Sequence, residues 1–67
     1  MSAGYDIFRN QRLGSPIWIT TVGTRRQIEQ TLHALRWVEP GDYFTREAAS
    51  GEIVQGRELT GRKTDRV

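Results

Sequence analysis

The sequence contains no cysteine and only one histidine among its 67 residues. Without cysteine the chain can form neither a disulfide nor a thiolate metal site, and one histidine is too few for an imidazole-based zinc site. No apolar run approaches the roughly 18 residues of a membrane span, and the N-terminus lacks the basic-then-apolar pattern of a signal peptide. We therefore expect a cytoplasmic protein that uses no metal or other cofactor and binds no membrane.

The sequence also has little net charge, +2 in total. Residues 1–54 hold six arginines and six acidic residues, which sum to zero, whereas residues 55–67 hold four basic residues against two acidic ones. The whole excess of positive charge therefore lies in the last part of the chain. Net charge gives little support to nucleic-acid binding by residues 1–54.

The short length bounds the fold. A chain of 67 residues forms one domain, and a core of that size lies near the lower limit of independent stability. Small domains commonly gain stability from disulfides, a metal or a partner subunit. Because the first two are excluded here, we expect a homo-oligomer, with a dimer as the simplest form.

The sequence predicts strands in its first third and again after residue 41. Aromatic and β-branched residues predict strands over 5–9 and 17–22, joined by a polar loop that contains glycine. A third strand is predicted over 42–47. A turn over 49–51 then leads to a short fourth strand over 52–54 that pairs back.

The middle of the chain predicts a helix. Thr24 and Gln27 have the spacing of a capping box, in which a hydroxyl and an amide satisfy backbone N–H groups of the first turn. The Pro40-Gly41 pair predicts that the helix ends near Val38. Apolar residues recur at helical spacing between these limits, at Ile28, Leu32 and Leu35.

The predicted element order is β-β-α-β, or β-β-α-β-β if the short fourth strand forms. A hairpin followed by a crossover helix places one helix on one face of a small, mostly antiparallel sheet. The fold class is therefore α+β, a two-layer sandwich. We expect a single domain over residues 4–54 and a disordered basic tail over 55–67, because the tail has too few apolar residues to form a core.

Catalytic chemistry has few candidates. His33, the only histidine, falls on the polar side of the predicted helix, and we interpret it as a surface residue. Glu39 and Asp42 flank the Pro40-Gly41 turn, where acidic residues are ordinary. We expect no catalytic activity from a lone protomer; a site that forms only between protomers remains a third, less favoured interpretation.

The aromatic residues of the strands are more informative. Phe8 and Trp18 point to one side of the sheet if the isoleucines of the same strands point to the other, and Phe44 or Tyr43 joins one of these sides. One helix covers only one face, so the other face should carry Phe8 and Trp18 uncovered, together with Phe44 if it joins that side. This face predicts an interaction surface.

Two partners fit such a surface. A second copy would bury the aromatic side chains in a homodimer. Alternatively, the aromatic rings would stack the bases of a single-stranded nucleic acid, with phosphate contacts from basic residues. We favour the dimer because the sheet lacks an RNA-binding signature of glycine and aromatic residues. The candidate nucleic-acid-binding residues are Arg9, Arg46, Arg62 and Lys63.

Trp37 is a further candidate for the interaction surface. Counting about 100° per residue from Ile28, Trp37 lies on the outward side of the helix. It either packs against the turn at Pro40 or the tail, or forms part of a recognition stripe for another protein.

Several short motifs carry a resemblance. The string Y-x-I-F-R over 5–9, the Pro16-Ile17-Trp18 run and the P-G-D-Y-F string over 40–44 are similar to a pattern in short bacterial proteins. The resemblance covers about residues 5–54. It implies the same placement of strands and helix, and carries over no activity and no catalytic residue.

These observations favour one function over another. We expect a small bacterial protein that acts as a non-enzymatic homodimeric interaction module through its open aromatic sheet face. The alternative is a small domain that binds single-stranded nucleic acid with the same face.

Overall fold

Four strands and one helix make up the part of the chain that the computed structural model describes, residues 4–59. The predicted α+β architecture is confirmed. The elements are β1 (Tyr5–Arg9), β2 (Ile17–Val22), α1 (Arg25–Val38), β3 (Tyr43–Glu47) and β4 (Ile53–Gln55). Since β4 includes Gln55, the sheet extends one residue past the predicted domain boundary, and residues 60–67 of the predicted tail lie outside the described residues.

The strands form one antiparallel sheet in the order β2-β1-β3-β4. β1 and β2 are a hairpin, and α1 then carries the chain across β1 to β3 on its other side. Because β2 and β3 both run antiparallel to β1, the helix joins two strands that are parallel to each other but not neighbours. β2 and β4 are therefore the two edges of the sheet.

The helix begins at the predicted capping box. Thr24 is the N-cap, and its hydroxyl accepts a hydrogen bond of 3.2 Å from the backbone N–H of Gln27. In return, the side-chain oxygen of Gln27 accepts bonds from the backbone N–H groups of Thr24 and Gly23, at 3.2 and 2.8 Å. The bonds from the N–H groups of Thr24 and Gln27 satisfy two donors that the start of a helix leaves free.

The hydrophobic core lies between the helix and one face of the sheet. Ile7 of β1 packs against Ile28 and Leu32 of α1, as the helical spacing predicted. The partly buried residues around this cluster come from the four strands and the helix; they are Tyr5, Ile19, Val22, Leu35, Tyr43 and Val54.

A β-bulge in β2 sets which side chains share a face. Phe8 pairs with Trp18 and Ile7 pairs with Thr20, so that Ile19 is an extra residue in β2 without a partner in β1. The bulge puts Trp18 and Thr21 on the same side of the sheet, although residues three apart in a regular strand lie on opposite sides.

Candidate functional site

The open face is the side of the sheet that α1 does not cover. The pairing register places on it alternate residues of β1 and β3 together with two residues of β2. These side chains are Asp6, Phe8, Trp18, Thr21, Phe44 and Arg46. All three strand aromatics predicted for the interaction surface therefore lie on one face.

Two phenylalanines and one arginine form the centre of the open face. The rings of Phe8 and Phe44 are stacked, with their centres 5.1 Å apart and an angle of 11° between the planes. The guanidinium carbon of Arg46 lies 5.4 Å from the centre of the Phe8 ring and 5.8 Å from that of Phe44. A cation at this distance over an aromatic ring is attracted by the negative charge of the ring face.

The end of the described chain crosses this face. We name residues 56–59 the return segment. Its backbone is held by Asn10 at the end of β1, whose side chain donates to the carbonyl oxygen of Arg57 at 2.9 Å and accepts from the N–H of Leu59 at 3.1 Å. The amide side chain of Asn10 thus provides the return segment with one donor and one acceptor, as the backbone of a neighbouring strand would.

The return segment also supplies the counter-ion of Arg46. A carboxylate oxygen of Glu58 lies 2.7 Å from a terminal nitrogen of Arg46, and both side chains are about two-thirds buried. The Nε–H of the same guanidinium is buried without a hydrogen-bond partner within residues 4–59. Arg46 is therefore neutralised by Glu58 rather than free to contact a phosphate.

The prediction that the open face is uncovered is wrong for Phe44. This side chain has no exposed surface, and Phe8 is half-buried. The physical reason is that polar groups cover the pair: Arg46 of β3 lies over both rings and is paired with Glu58, and Gly56 lies against the backbone of Phe44. The hydrophobic pattern of the strands indicates the face but not the polar residues that cover it.

Trp18 is the aromatic residue of the open face that remains exposed. Its side chain is 56% exposed, and its indole N–H donates to the hydroxyl of Thr21 at 3.2 Å. The Thr21 hydroxyl in turn donates to a carboxylate oxygen of Asp6 at 2.5 Å. The ring is thus held in one orientation by a chain of two hydrogen bonds while much of its surface faces solvent.

Two further predicted site residues, Trp37 and Arg9, do not join this face. Trp37 is 79% exposed on the outward side of α1, so it packs neither on the turn at Pro40 nor on the described part of the tail. Arg9 lies on the helix side and forms an ion pair with Glu39, whose hydrogen bond and charge raise the pKa of the guanidinium. Arg62 and Lys63 lie outside the described residues.

An open groove lies between the helix and the β4 edge. Its volume is about 220 Å³, and its lining side chains are Glu29, Leu32, His33, Arg36 and Gln55. His33 is exposed there, as predicted. Within residues 4–59 no cluster of three or more histidine, aspartate and glutamate residues is placed to hold a metal ion, and α1 is too short and too polar to cross a membrane.

The comparisons with known proteins assign this chain to no family. No protein-family model matches the chain, and no curated protein or solved structure is detectably similar to it. The similarity to short bacterial proteins inferred from the sequence motifs remains a prediction. The functional interpretation therefore depends on the site itself.

Proposed function

We propose that this chain is a non-enzymatic interaction module that works as a homodimer and associates through the part of the open face around Trp18. The observation that carries this proposal is the state of the Trp18 side chain, which is more than half exposed and yet fixed by Thr21 and Asp6. An aromatic anchor that is already oriented loses little conformational freedom when a partner covers it. Exposed aromatic surface of this kind is typical of protein interfaces.

The size of the core supports self-association. Among residues 4–59, those that are both apolar and buried are few, namely Ile7, Ile28, Leu32 and Phe44. A domain with so small a core gains stability when a second copy removes more apolar surface from water, because binding to the folded state shifts the folding equilibrium. Trp18 offers the largest such surface on the open face.

Single-stranded nucleic acid is the less favoured partner. Base stacking needs accessible aromatic rings beside free cationic groups. Here the Phe44 ring is covered, and Arg46 is paired with Glu58. Trp18 would be left as one exposed stacking residue of the open face. A binding surface for bases would first require the return segment to move away.

Sedimentation of two tryptophan variants tests the proposal. Trp18→Ala should shift the protein to the monomer, because it removes the fixed aromatic anchor. Trp37→Ala is the matched control, since it removes the same type of side chain from an exposed position on the side of α1 that faces away from the sheet. We expect the wild-type protein and Trp37→Ala to show the same concentration-dependent dimer.

Two further observations complete this test. Added salt should leave association nearly unchanged, since residues 1–54 carry no net charge. Binding of a labelled single-stranded oligonucleotide that weakens steeply with salt would instead support the alternative partner. A wild-type protein that stays monomeric at high micromolar concentration would overturn the homodimer proposal.

A further inference from the structure

Within residues 4–59, the outer edge of β2 is an unpaired strand edge. β2 is the first strand in the sheet order, so its other side pairs with no strand of residues 4–59. It is six residues long, twice the length of β4 at the opposite edge. An exposed strand edge of this length is a template for another strand, because its N–H and C=O groups match those of a second extended chain.

The composition of β2 leaves this edge open to pairing. The strand reads Ile-Trp-Ile-Thr-Thr-Val and contains no charged residue and no proline. Natural edge strands usually resist pairing by charges, prolines, bulges or short length. Of these devices β2 has only the bulge at Ile19. At the other edge, β4 is short and Gly56 turns the chain away from it.

The helix flank beside β2 is uncharged as well. Glu29, His33 and Arg36 lie on the flank of α1 that faces β4, because they line one groove with Gln55. Counting about 100° per residue, the opposite flank faces the β2 edge. Its residues are uncharged and mostly small or exposed; they are Gln27, Thr31, Ala34 and Val38.

We propose that a second copy of this chain pairs its β2 antiparallel to β2, joining two four-stranded sheets into one sheet of eight strands. This inference rests on the proposed homodimer and names the surface through which it forms. A two-fold axis brings the same surface of each copy together, so any charge there would face its own copy. The β2 edge and the adjacent helix flank meet this requirement, since neither carries a charge.

The order of faces along β2 fits a copy that runs in the opposite direction. Trp18 and Thr21 lie on the open face, while the residues before, between and after them lie on the helix side. The sequence of faces along β2 is therefore the same whether the strand is read forwards or backwards. When two copies of β2 pair antiparallel, each residue can stand opposite a residue that lies on the same face of the joined sheet. The matching register places Trp18 opposite Thr21 of the partner subunit, and the two open faces become one surface with both Trp18 rings near its centre.

Charged variants of the helix flank test the edge pairing. Ala34→Glu and Ala34→Lys each place like charges across the two-fold axis and should raise the dissociation constant at least about tenfold. Mixed together, they should associate again, because opposite charges then face each other. His33→Glu and His33→Lys are the matched controls, since His33 is exposed on the flank that faces β4. Glu and Lys are both good helix formers, so all four variants should keep the fold.

Sedimentation of these variants separates the two proposals. A dimer that weakens in both Ala34 variants, recovers in their mixture and tolerates both His33 variants supports edge pairing. A wild-type dimer that ignores the Ala34 variants overturns edge pairing and leaves the homodimer proposal standing. A wild-type monomer at all concentrations overturns both.

Amide hydrogen exchange in β2 gives an independent measurement. The N–H groups that point away from β1 should exchange fast in dilute protein and slowly at concentrations where the dimer forms. Protection in samples that sedimentation shows to be monomeric would mean that another part of the same chain covers the edge, and would overturn the inference. Fast exchange of these groups within a dimer would do the same, because the copies would then associate by another surface.

Discussion

Gly56 lies directly against Phe44, and a Cβ atom added to Gly56 would stand 3.0 Å from the Cα of Phe44 and 2.5 Å from the carbonyl oxygen of Tyr43. The backbone of Gly56 has a φ of +76°, a conformation that side chains other than glycine rarely adopt. Both features allow the return segment to pass close over β3 on its way to Asn10. The cover over the aromatic pair of the open face therefore depends on the absence of one side chain.

Gly56→Ala should destabilise the protein more than an ordinary glycine substitution. The positive φ alone costs an alanine about 1–2 kcal/mol. Overlap with the backbone of β3 should add about 1–3 kcal/mol, because backbone atoms cannot move aside as a flexible side chain does. Urea denaturation of the variant gives the free energy of unfolding that measures this loss.

Gly51→Ala is the matched control for this experiment. Gly51 has nearly the same φ, +79°, but no atom lies within 4 Å of the position of an added Cβ. The difference between the two variants therefore isolates the close approach to Phe44. Equal losses of unfolding free energy at both positions would show that the return segment does not lie against β3 in solution.

The orientation of the helix predicts a second contrast, between two neighbouring residues. Leu32 is buried in the core, and Leu32→Ala should lower the free energy of unfolding by about 2–5 kcal/mol. His33 is exposed, and His33→Ala should cost less than about 0.5 kcal/mol. Thermal or urea unfolding measures both values. A larger loss from His33→Ala than from Leu32→Ala would contradict the placement of the helix on the sheet.

The helix and its orientation could be predicted from the sequence because their signals are local. Thr24 and Gln27 lie three residues apart, and their side chains bond to the backbone of the same turn. The apolar residues of α1 follow the period of the helix itself. Phe8 and Trp18 could likewise be assigned to one face from the alternation along their strands, whereas the choice between Phe44 and Tyr43 stayed open because it depends on the register between β1 and β3.

The state of the open face could not be predicted in the same way, because its cover comes from residues distant in sequence. Asn10 binds the backbone of Arg57 and Leu59, which are 47 and 49 residues away along the chain. Polar side chains that hold such a segment leave no periodic pattern. The bulge at Ile19 could not be predicted either, since the register with β1 decides which residue of β2 is the extra one.

Because Arg46 and the return segment cover Phe44, we expect Trp18 to make most of the proposed contacts of the open face. Trp18 and Trp37 are the two tryptophans of the chain, and both are exposed in the single protomer. When two copies associate around β2, the surroundings of Trp18 should change and those of Trp37 should not. Trp18 lies on that strand, whereas Trp37 lies on the outward side of the helix.

Tryptophan fluorescence of two single-tryptophan variants tests this divergence most directly. Trp37→Phe leaves Trp18 as the only tryptophan, and Trp18→Phe leaves Trp37. Emission is recorded while each protein is diluted from high micromolar to nanomolar concentration, with sedimentation of the same samples. Phenylalanine at position 18 keeps an aromatic anchor, so both variants should retain a dimer at the high concentration.

The emission of Trp18 should shift to longer wavelength on dilution, in step with dissociation, because the ring moves from the interface into water. The emission of Trp37 should stay constant over the same range. A dimer that dissociates without any change in the emission of Trp18 would contradict the assignment of the interface to β2 and the open face beside it.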